Sequence, residues 1–310
     1  MTKIAVVQAP PVLLDRGRTI EKTVAFIGEA AKAGASLVVF PETYIPGYPV
    51  WIWRLKPDDM RLTADIHARL RANSIDLAKD DLGPVRDAAA KHRVTVVLGI
   101  NEIDSTFSGT TLFNTVVVIG ANGAVLNRHR KLMPTNPERM VWGMGDGSGL
   151  RVVDTPAGRI GCLICWENYM PLARYALYAQ DLEIYVAPTW DSGESWIASM
   201  RHIAKEAGVW VIGVSTALEA NDVPDDFPER DRLFEKGEWI NDGDAVVVKP
   251  MGAIAAGPHH RKKEILYAEI DVEAARRARR SLDVTGHYSR PDVFSFSVDR
   301  RSLRPAKFVD

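Results

Sequence analysis

Three residues with complementary chemistry, Glu42, Lys131 and Cys165, each stand at the end of a strand-like run of the sequence. A free thiol has a pKa of about 8.5, so little thiolate forms at neutral pH. A nearby carboxylate can accept the thiol proton, and a nearby ammonium group can stabilise both a thiolate and negative charge on a substrate. If the fold brings the three residues together, they predict nucleophilic catalysis by Cys165.

Each of these residues also has a simpler interpretation. A single cysteine is commonly a small, inert core residue, and Glu42 suits a turn or a helix cap. Lys131 stands beside Arg128 and Arg130, where it suits a solvated face. Spacing in the sequence does not decide between these interpretations and a catalytic role.

The elements that must position these residues begin with a β-α-β pattern. Lys3–Gln8 and Ser36–Phe40 are short apolar runs that predict buried strands, and Arg18–Ala33 carries apolar residues at helical spacing between them. Glu42 directly follows the second run. It is therefore expected at the carboxyl edge of a sheet, where α/β proteins place their sites.

Hairpins and further helices follow. Thr111–Ile119 and Ala124–Arg130 flank an Asn-Gly turn and predict a β-hairpin. Pro171–Ala179 and Ser195–Gly208 predict helices, and Asp222–Lys236, rich in charge and proline, predicts an exposed insertion. This mixture favours one α/β domain with a mixed sheet, or two stacked sheets, covered by helices.

Composition narrows the class of protein. The chain has 310 residues, 46% hydrophobic and 25% charged, with a net charge of -1, which favours neither nucleic acid nor a membrane surface as partner. No apolar run reaches the roughly 18 residues of a membrane span. The first residues lead directly into a strand, without signal-peptide architecture. Two cysteines do not make a disulfide framework, so a cytoplasmic location is expected.

The motifs around the three residues resemble those of the nitrilase branch of the carbon–nitrogen hydrolase superfamily. Phe40–Glu42 looks like the glutamate motif of that family, His129–Thr135 like its lysine motif, and Gly161–Asn168 like its cysteine motif. Glu138 matches the second glutamate of the family. Three motifs in this order are far more specific than any one of them.

The resemblance implies an α-β-β-α sandwich of two stacked mixed sheets flanked by helices, formed by residues 1–280. Residues 281–310 are then a C-terminal tail that contacts a neighbouring subunit. Members of the family pair across the helix that follows the cysteine, here Pro171–Ala179, so a homodimer or a larger, spiral homo-oligomer is expected.

The resemblance also implies the roles of the site residues. Cys165 is the nucleophile, Glu42 the general base and acid, and Lys131 stabilises charge on the attacked group. Glu138 is expected to position Lys131, and the backbone N–H of Trp166 is expected to be a second donor to that charge. No metal or organic cofactor has a role in this chemistry.

The residues after the nucleophile bear on the substrate. Trp166-Glu167 is similar to true nitrilases, which hydrolyse an organic nitrile to the carboxylic acid and ammonia, whereas amidases and carbamoylases usually carry other residues there. An amidase or carbamoylase that uses the same residues is the alternative. An aromatic loop after Glu42 and a strand end near residue 188 predict the substrate-binding residues, which are Tyr48, Trp53, Trp166, Pro188, Thr189 and Trp190.

Other interpretations of the same sequence are less well supported. Cys162 and Cys165 form a Cys-x-x-Cys pair, but no further cysteine exists and His259-His260 lacks zinc-ligand spacing, so Cys162 is expected to be a core thiol. The alternating glycines of Gly143–Gly149 lack the strand-to-helix context of a phosphate loop. Arg276–Arg280 is more typical of a solvated helix face than of a nucleic-acid site. A catalytically silent assembly protein would not need the three motifs intact.

Overall fold

Two β-sheets occupy the middle of the molecule, and the computed structural model describes residues 1–302 and 306 of the chain. The first sheet is six-stranded, with the order β13-β1-β2-β3-β4-β5. Its strands are β1 (Thr2–Val7), β2 (Leu37–Val39), β3 (Thr95–Ile103), β4 (Leu112–Ile119), β5 (Val125–Arg130) and β13 (Ile265–Ile270). The three strands β1, β2 and β3 are parallel, and the hairpin partners β4 and β5 continue the sheet in antiparallel register.

The second sheet is seven-stranded, with the order β10-β11-β9-β8-β7-β6 and with β12 paired to β11. Its strands are β6 (Val153–Thr155), β7 (Gly158–Cys162), β8 (Ile184–Pro188), β9 (Trp210–Val214), β10 (Ala217–Glu219), β11 (Trp239–Val248) and β12 (Ile254–His260). The central strands β7, β8 and β9 are parallel, so their carboxyl ends lie at one edge.

The helices cover the outer faces of the two sheets. They are α1 (Arg16–Lys32), α2 (Met60–Ala72), α3 (Gly83–His92), α4 (Pro171–Tyr178), α5 (Glu194–Ala207), α6 (Arg230–Leu233) and α7 (Val272–Arg279). Ile27 of α1 and Val85 of α3 pack with Val38 of the first sheet, whereas Leu177 of α4 and Met200 of α5 share a core with the second sheet. A third core fills the space between the sheets. The layers are therefore helix, sheet, sheet and helix, which confirms the predicted α-β-β-α sandwich.

Local sequence explains the hairpin that leads to Lys131. Gly123 has φ +78°, and its N–H donates to Gly120 O at 2.8 Å. The positive φ is why the turn needs glycine after Asn122. The turn sets β4 and β5 side by side, so Lys131 follows the last residue of β5 at the carboxyl edge of the first sheet.

Glycine is also required behind Glu42. A Cβ added to Gly99 in β3 would lie 2.1 Å from Pro41 O and 2.4 Å from the backbone nitrogen of Thr43. Thr43 itself has φ +44°, an uncommon conformation for a β-branched residue. The turn that carries Glu42 is therefore pressed against β3, and that close contact fixes the backbone position of Glu42.

One sequence-based prediction about the surface is wrong. Asp222–Lys236 is not simply an exposed insertion, because its apolar residues Phe227 and Phe234 are buried. They pack in a separate cluster with Trp51, whose ring centroid lies 5.7 Å from that of Phe227. The charged residues of the segment obscured its buried apolar residues in the sequence, and the segment packs against the aromatic loop that follows Glu42.

The described part of the tail packs on α4 of its own chain. The rings of Phe296 and Tyr175 are perpendicular with centroids 5.2 Å apart, and Arg300 Nη1 donates to Gln180 Oε1 at 3.3 Å. Residues 303–305 and 307–310 of the predicted subunit contact lie outside the described residues. The division into a domain of residues 1–280 and a tail stays a prediction.

Candidate active site

A buried lysine lies between two glutamates at the edge of the first sheet. Lys131 has no exposed surface, and its Nζ donates to Glu42 Oε1 at 2.9 Å and to Glu138 Oε2 at 2.7 Å. A charge buried this deeply must be paired and hydrogen-bonded. Burial alone would lower the pKa of Lys131, but the negative groups around it, Glu42 first, raise that pKa above its ordinary value. Lys131 therefore stays a cation.

Both oxygens of the Glu138 carboxylate accept hydrogen bonds, one of them from the Lys131 cation. Its Oε1 accepts the Tyr48 hydroxyl at 2.7 Å, and its Oε2 accepts both Lys131 Nζ and the Thr135 backbone N–H at 2.7 Å. The indole Nε1 of Trp53 donates in turn to the Tyr48 oxygen at 3.1 Å. With both oxygens engaged, Glu138 is built to hold Lys131 in place, and it is poorly placed to take a proton from a substrate.

Glu42 differs from Glu138 in having one oxygen without a partner. Its Oε1 accepts Lys131 Nζ and also Asn114 Nδ2 at 2.6 Å, whereas Oε2 has no hydrogen-bond partner among the described residues. Burial raises the pKa of Glu42 to about 7, with Lys131 opposing the shift and Glu138 adding to it. A carboxyl group with a free oxygen and a pKa near neutrality can both accept and return a proton at neutral pH.

Cys165 sits at a strained turn after the second sheet. It has φ +53° and is the first residue of the 3₁₀ turn Cys165–Tyr169, which follows β7. A non-glycine residue with positive φ is uncommon, and such strain clusters at functional sites. The same backbone device, a nucleophile on a sharp turn after a strand, presents the reactive atom of other hydrolases to their substrates.

The thiol of Cys165 is not a preformed thiolate. Burial raises its pKa, Glu42 adds to the increase, and the opposing effects of Lys131 and of a hydrogen bond with Thr189 are smaller. At neutral pH the sulfur therefore carries its proton. An attack by this thiol needs a base that removes the proton as the new bond forms, which is the chemistry that the free oxygen of Glu42 offers.

A third buried carboxylate, that of Glu167, joins the two sheets next to the site. Its oxygens accept the backbone N–H of Leu132, which follows Lys131, at 2.6 Å and the backbone N–H of Ile164, which precedes Cys165, at 2.7 Å. His129 Nε2 lies 3.0 Å and 3.2 Å from the same two oxygens. One side chain thus ties the segment that carries the lysine to the segment that carries the thiol.

Replacing Glu167 with glutamine is expected to lower kcat by at least about tenfold, because a small misplacement of catalytic groups is costly. It should also lower the free energy of unfolding by about 3 kcal/mol, because an amide cannot accept both backbone N–H groups and the His129 contact. Steady-state kinetics and urea unfolding would measure the two effects. Glu102→Gln is the matched control, since that buried carboxylate accepts Arg130 but does not contact the Cys165 segment. A loss of stability without a loss of kcat in Glu167→Gln would contradict this role.

A cavity of about 310 Å³ opens beside Cys165. Its aromatic wall comes from four residues that the sequence predicts as substrate-binding, Tyr48, Trp53, Trp166 and Trp190. The rings of Tyr48 and Trp190 are stacked, with centroids 4.4 Å apart and an interplanar angle of 2°. The ring of Trp190 therefore has two roles. It supports Tyr48, whose hydroxyl donates to the Glu138 carboxylate that holds Lys131, and it narrows the cavity.

The two remaining predicted substrate residues do not line this cavity. Pro188 is the buried last residue of β8, and Thr189 is buried next to it. The Thr189 hydroxyl accepts the backbone N–H of Asp191 at 2.8 Å and also contacts the Cys165 thiol. Thr189 therefore supports the nucleophile and the turn after β8 instead of forming the wall.

Sequence reasoning missed several polar residues of the site. Asn114 lies in the middle of the apolar strand β4, and a polar residue in such a run was the available signal. The polar residues that complete the cavity lining are Thr135, Asp191, Ser192, Asn241 and Asp242. Long-range contacts place them there, and no local pattern marks them.

The structure also decides the rival interpretations. Cys162 is 1% exposed in the core between the sheets, and burial raises the pKa of its thiol. The glycines near residue 145 are needed because their loop lies against β5: a Cβ on Gly145 would be 2.3 Å from Arg130 O, and one on Gly149 would be 2.4 Å from His129 Cα.

In the part of the chain that the structure describes, no group of three or more His, Cys, Asp or Glu residues is arranged to hold a metal ion. Nor does that part contain a helix long and apolar enough to cross a membrane.

Known proteins resemble this chain over nearly its whole length. A bifunctional nitrilase/nitrile hydratase of Lupinus angustifolius is 39% identical, with 99% of this chain and 88% of the relative covered. An aliphatic nitrilase of Sinorhizobium fredii is 41% identical, with 96% of each chain covered. Nitrilase 2 of Arabidopsis thaliana is 37% identical, with 100% of this chain and 92% of the relative covered.

Solved structures and a family model agree with these relatives. A carbon–nitrogen hydrolase of Helicobacter pylori superposes with a TM-score of 0.72 at 23% identity, covering 94% of this chain and 96% of its own. An amidase of Nesterenkonia superposes with a TM-score of 0.65 at 17% identity, covering 91% of this chain and 94% of its own. Both show the same fold. The family model for carbon–nitrogen hydrolases matches residues 3–280, and the chain therefore belongs to the carbon–nitrogen hydrolase family.

Proposed function

We propose that this protein is a nitrilase, which converts a nitrile R–C≡N and two water molecules to a carboxylic acid and ammonia. The observation that carries the proposal is the buried Lys131 between two glutamates, of which Glu42 keeps one oxygen without a partner and interacts electrostatically with the protonated Cys165 thiol. Relatives named as nitrilases, 37–41% identical over nearly the whole chain, support nitriles as the substrates.

The first step forms a covalent bond between sulfur and the nitrile carbon. Glu42 takes the proton of the Cys165 thiol while the sulfur attacks, and it then passes that proton to the nitrile nitrogen. The product is a thioimidate. Lys131 and the backbone N–H of Trp166 stabilise the negative charge that develops on the nitrogen during the attack.

Water completes the reaction in two additions. Glu42 takes a proton from the first water as its oxygen adds to the thioimidate carbon, and it returns that proton to the nitrogen, which gives a tetrahedral carbon bearing –OH, –NH2 and sulfur. When the carbonyl group forms, Glu42 passes the hydroxyl proton to the –NH2 group, which leaves as ammonia. The remaining thioester is hydrolysed by a second water, again with Glu42 as base, and the thiol regains its proton. The tetrahedral intermediate from the first water has a second exit, because breaking its carbon–sulfur bond instead releases an amide.

The test compares a nitrile with its matching amide. With phenylacetonitrile we expect release of ammonia and phenylacetic acid and a covalent adduct on the Cys165 peptide, detected by mass spectrometry after rapid acid quenching. Phenylacetamide should be turned over more slowly. Both products must be quantified, because a relative named as bifunctional shows that this family includes nitrile hydratase activity.

An amidase or carbamoylase is the second candidate, since the same residues hydrolyse an amide through the same thioester. The observation in its favour is the shared fold with the Nesterenkonia amidase. Faster ammonia release from phenylacetamide than from phenylacetonitrile would establish it and overturn the nitrilase proposal.

We further propose that the enzyme works in the cytoplasm as a homodimer or a larger, spiral homo-oligomer, in which each subunit contacts its partner through α4. Leu172 on α4 is 68% exposed, and Phe294 of the tail is 72% exposed. Tyr169 and Met170, close to Leu172 in the chain, are also exposed, and a contiguous apolar patch is what marks a protein–protein contact. Light scattering after size exclusion and negative-stain microscopy would measure the assembly, and a monomer at micromolar concentration would contradict it.

A further inference from the structure

The cavity beside Cys165 contains a carboxylate that the proposed mechanism does not use. Asp191 lines the cavity together with two other acidic residues, Glu138 and Asp242. Glu138 is neutralised by Lys131, and Asp242 accepts Arg261 Nε at 2.7 Å. Asp191 forms no ion pair with a lysine, arginine or histidine of the described residues.

The contacts of Asp191 hold it in place without cancelling its charge. Its Oδ2 accepts the indole Nε1 of Trp166 at 2.9 Å, and its Oδ1 accepts the backbone N–H of Ser192 at 2.9 Å. The Tyr169 hydroxyl is a further hydrogen-bond partner of Asp191, and all three partners are neutral groups. A carboxylate oxygen has room for more than one donor, so Asp191 can accept a further hydrogen bond from a ligand.

The cavity into which the Asp191 carboxylate opens has an aromatic lining. Trp166, whose indole donates to Asp191, lines the cavity together with Trp190, Trp53 and Tyr48. The faces of such rings attract cations, and a cation held by both aromatic rings and a carboxylate is a recurring way to recognise ammonium groups. No lysine or arginine is among the described residues that line the cavity, so an anionic group would meet only repulsion there.

We propose that Asp191 is a recognition site for a positively charged ammonium group on the substrate, at the end remote from the nitrile. This rests on the proposed function and narrows its substrate class to nitriles that carry an amine, such as an aminomethyl-substituted arylacetonitrile. A volume of about 310 Å³ admits one ring with a short amine arm. Carboxylate-bearing nitriles of the same size are excluded by the charge of the cavity.

Binding to a protein that cannot turn over separates this inference from the chemistry. Titration calorimetry on Cys165→Ala would compare 4-(aminomethyl)phenylacetonitrile with 4-ethylphenylacetonitrile, its uncharged isostere. We expect the amine to bind about tenfold more tightly, from a charge pair and ring contacts that are partly shielded from water. Adding Asp191→Asn should reduce this ratio to about one, because the asparagine oxygen still accepts Trp166 but carries no charge.

Glu194→Gln is the matched control, since Glu194 is an exposed carboxylate of the same segment that does not line the cavity. The Glu194→Gln substitution should leave the affinity for the amine about tenfold higher than that for its isostere. Equal binding of the amine and its isostere, or a preference that persists in the Asp191→Asn protein, would overturn the inference. Turnover of 4-ethylphenylacetonitrile by the unmodified enzyme reports separately on the proposed function, so the two ideas fail independently.

Discussion

Replacing Cys165 with alanine is expected to lower kcat for nitrile hydrolysis by a factor on the order of 10⁵ or more, because the thiol forms the covalent bond on which both later steps depend. The fold should persist, since the change removes one sulfur from a turn that Glu167 and Asn168 hold through backbone hydrogen bonds. Ammonia release under saturating phenylacetonitrile measures the effect, and circular dichroism checks the fold.

The chain supplies its own control for that experiment. Cys162 stands three residues earlier and is also buried, but it belongs to strand β7 and does not line the cavity. Cys162→Ala is expected to retain most activity and to lose about 1 kcal/mol of stability. Nitrile hydrolysis by Cys165→Ala at a rate near that of the unmodified protein would refute the assignment of the nucleophile, whatever Cys162→Ala does.

Replacing Glu42 with glutamine is expected to lower kcat/KM by about 10³-fold, the range in which a positioned general base contributes. The unmodified enzyme should also lose kcat/KM as the pH falls below about 7, since burial raises the pKa of Glu42 to about 7 and only the carboxylate form, present above that pKa, can accept the thiol proton. Measurements of kcat/KM between about pH 5 and about pH 9 would define this acidic limb.

The two glutamates should respond differently to the same substitution. Glu42→Gln removes the base, so the small residual kcat/KM of this variant should not fall as the pH drops through about 7. Glu138→Gln weakens the hold on Lys131 and should lower activity while the limb remains, because Glu42 still titrates. If the limb survives unchanged in Glu42→Gln, another group titrates near pH 7 and Glu42 is not the base.

Local patterns in the sequence were sufficient to predict an α/β fold, whereas the two-sheet sandwich and the catalytic roles were predicted from the family resemblance. Glu42 and Lys131 each follow a strand of the first sheet, and Cys165 follows a strand of the second, so the strand ends indicated an edge at which the three residues could meet. The Asn-Gly turn before β5 fixed the hairpin that delivers Lys131. These features depend on local patterns, which a sequence displays directly.

What the sequence did not reveal depends on contacts between distant segments. The motif could not show that burial outweighs Lys131 and keeps the Cys165 thiol protonated, because burial is a property of the assembled fold. Glu167 drew attention only as a mark of the nitrilase branch, and two of its three contacts, His129 and Leu132, come from a distant segment. The burial of Phe227 was hidden by the charges around it, for the same reason.

The position of the nucleophile relative to its base is set by how the two sheets dock. Glu42 and Cys165 belong to different sheets, and the layer between them contains Val116 and Val186 along with Cys165 itself. Removing a methyl group from that layer leaves a void that only partly closes, so the sheets shift slightly. The reaction rate therefore depends on the spacing between the two sheets. Substitutions in the layer between the sheets can slow the enzyme, although they are far from the substrate, because they move Cys165 relative to Glu42.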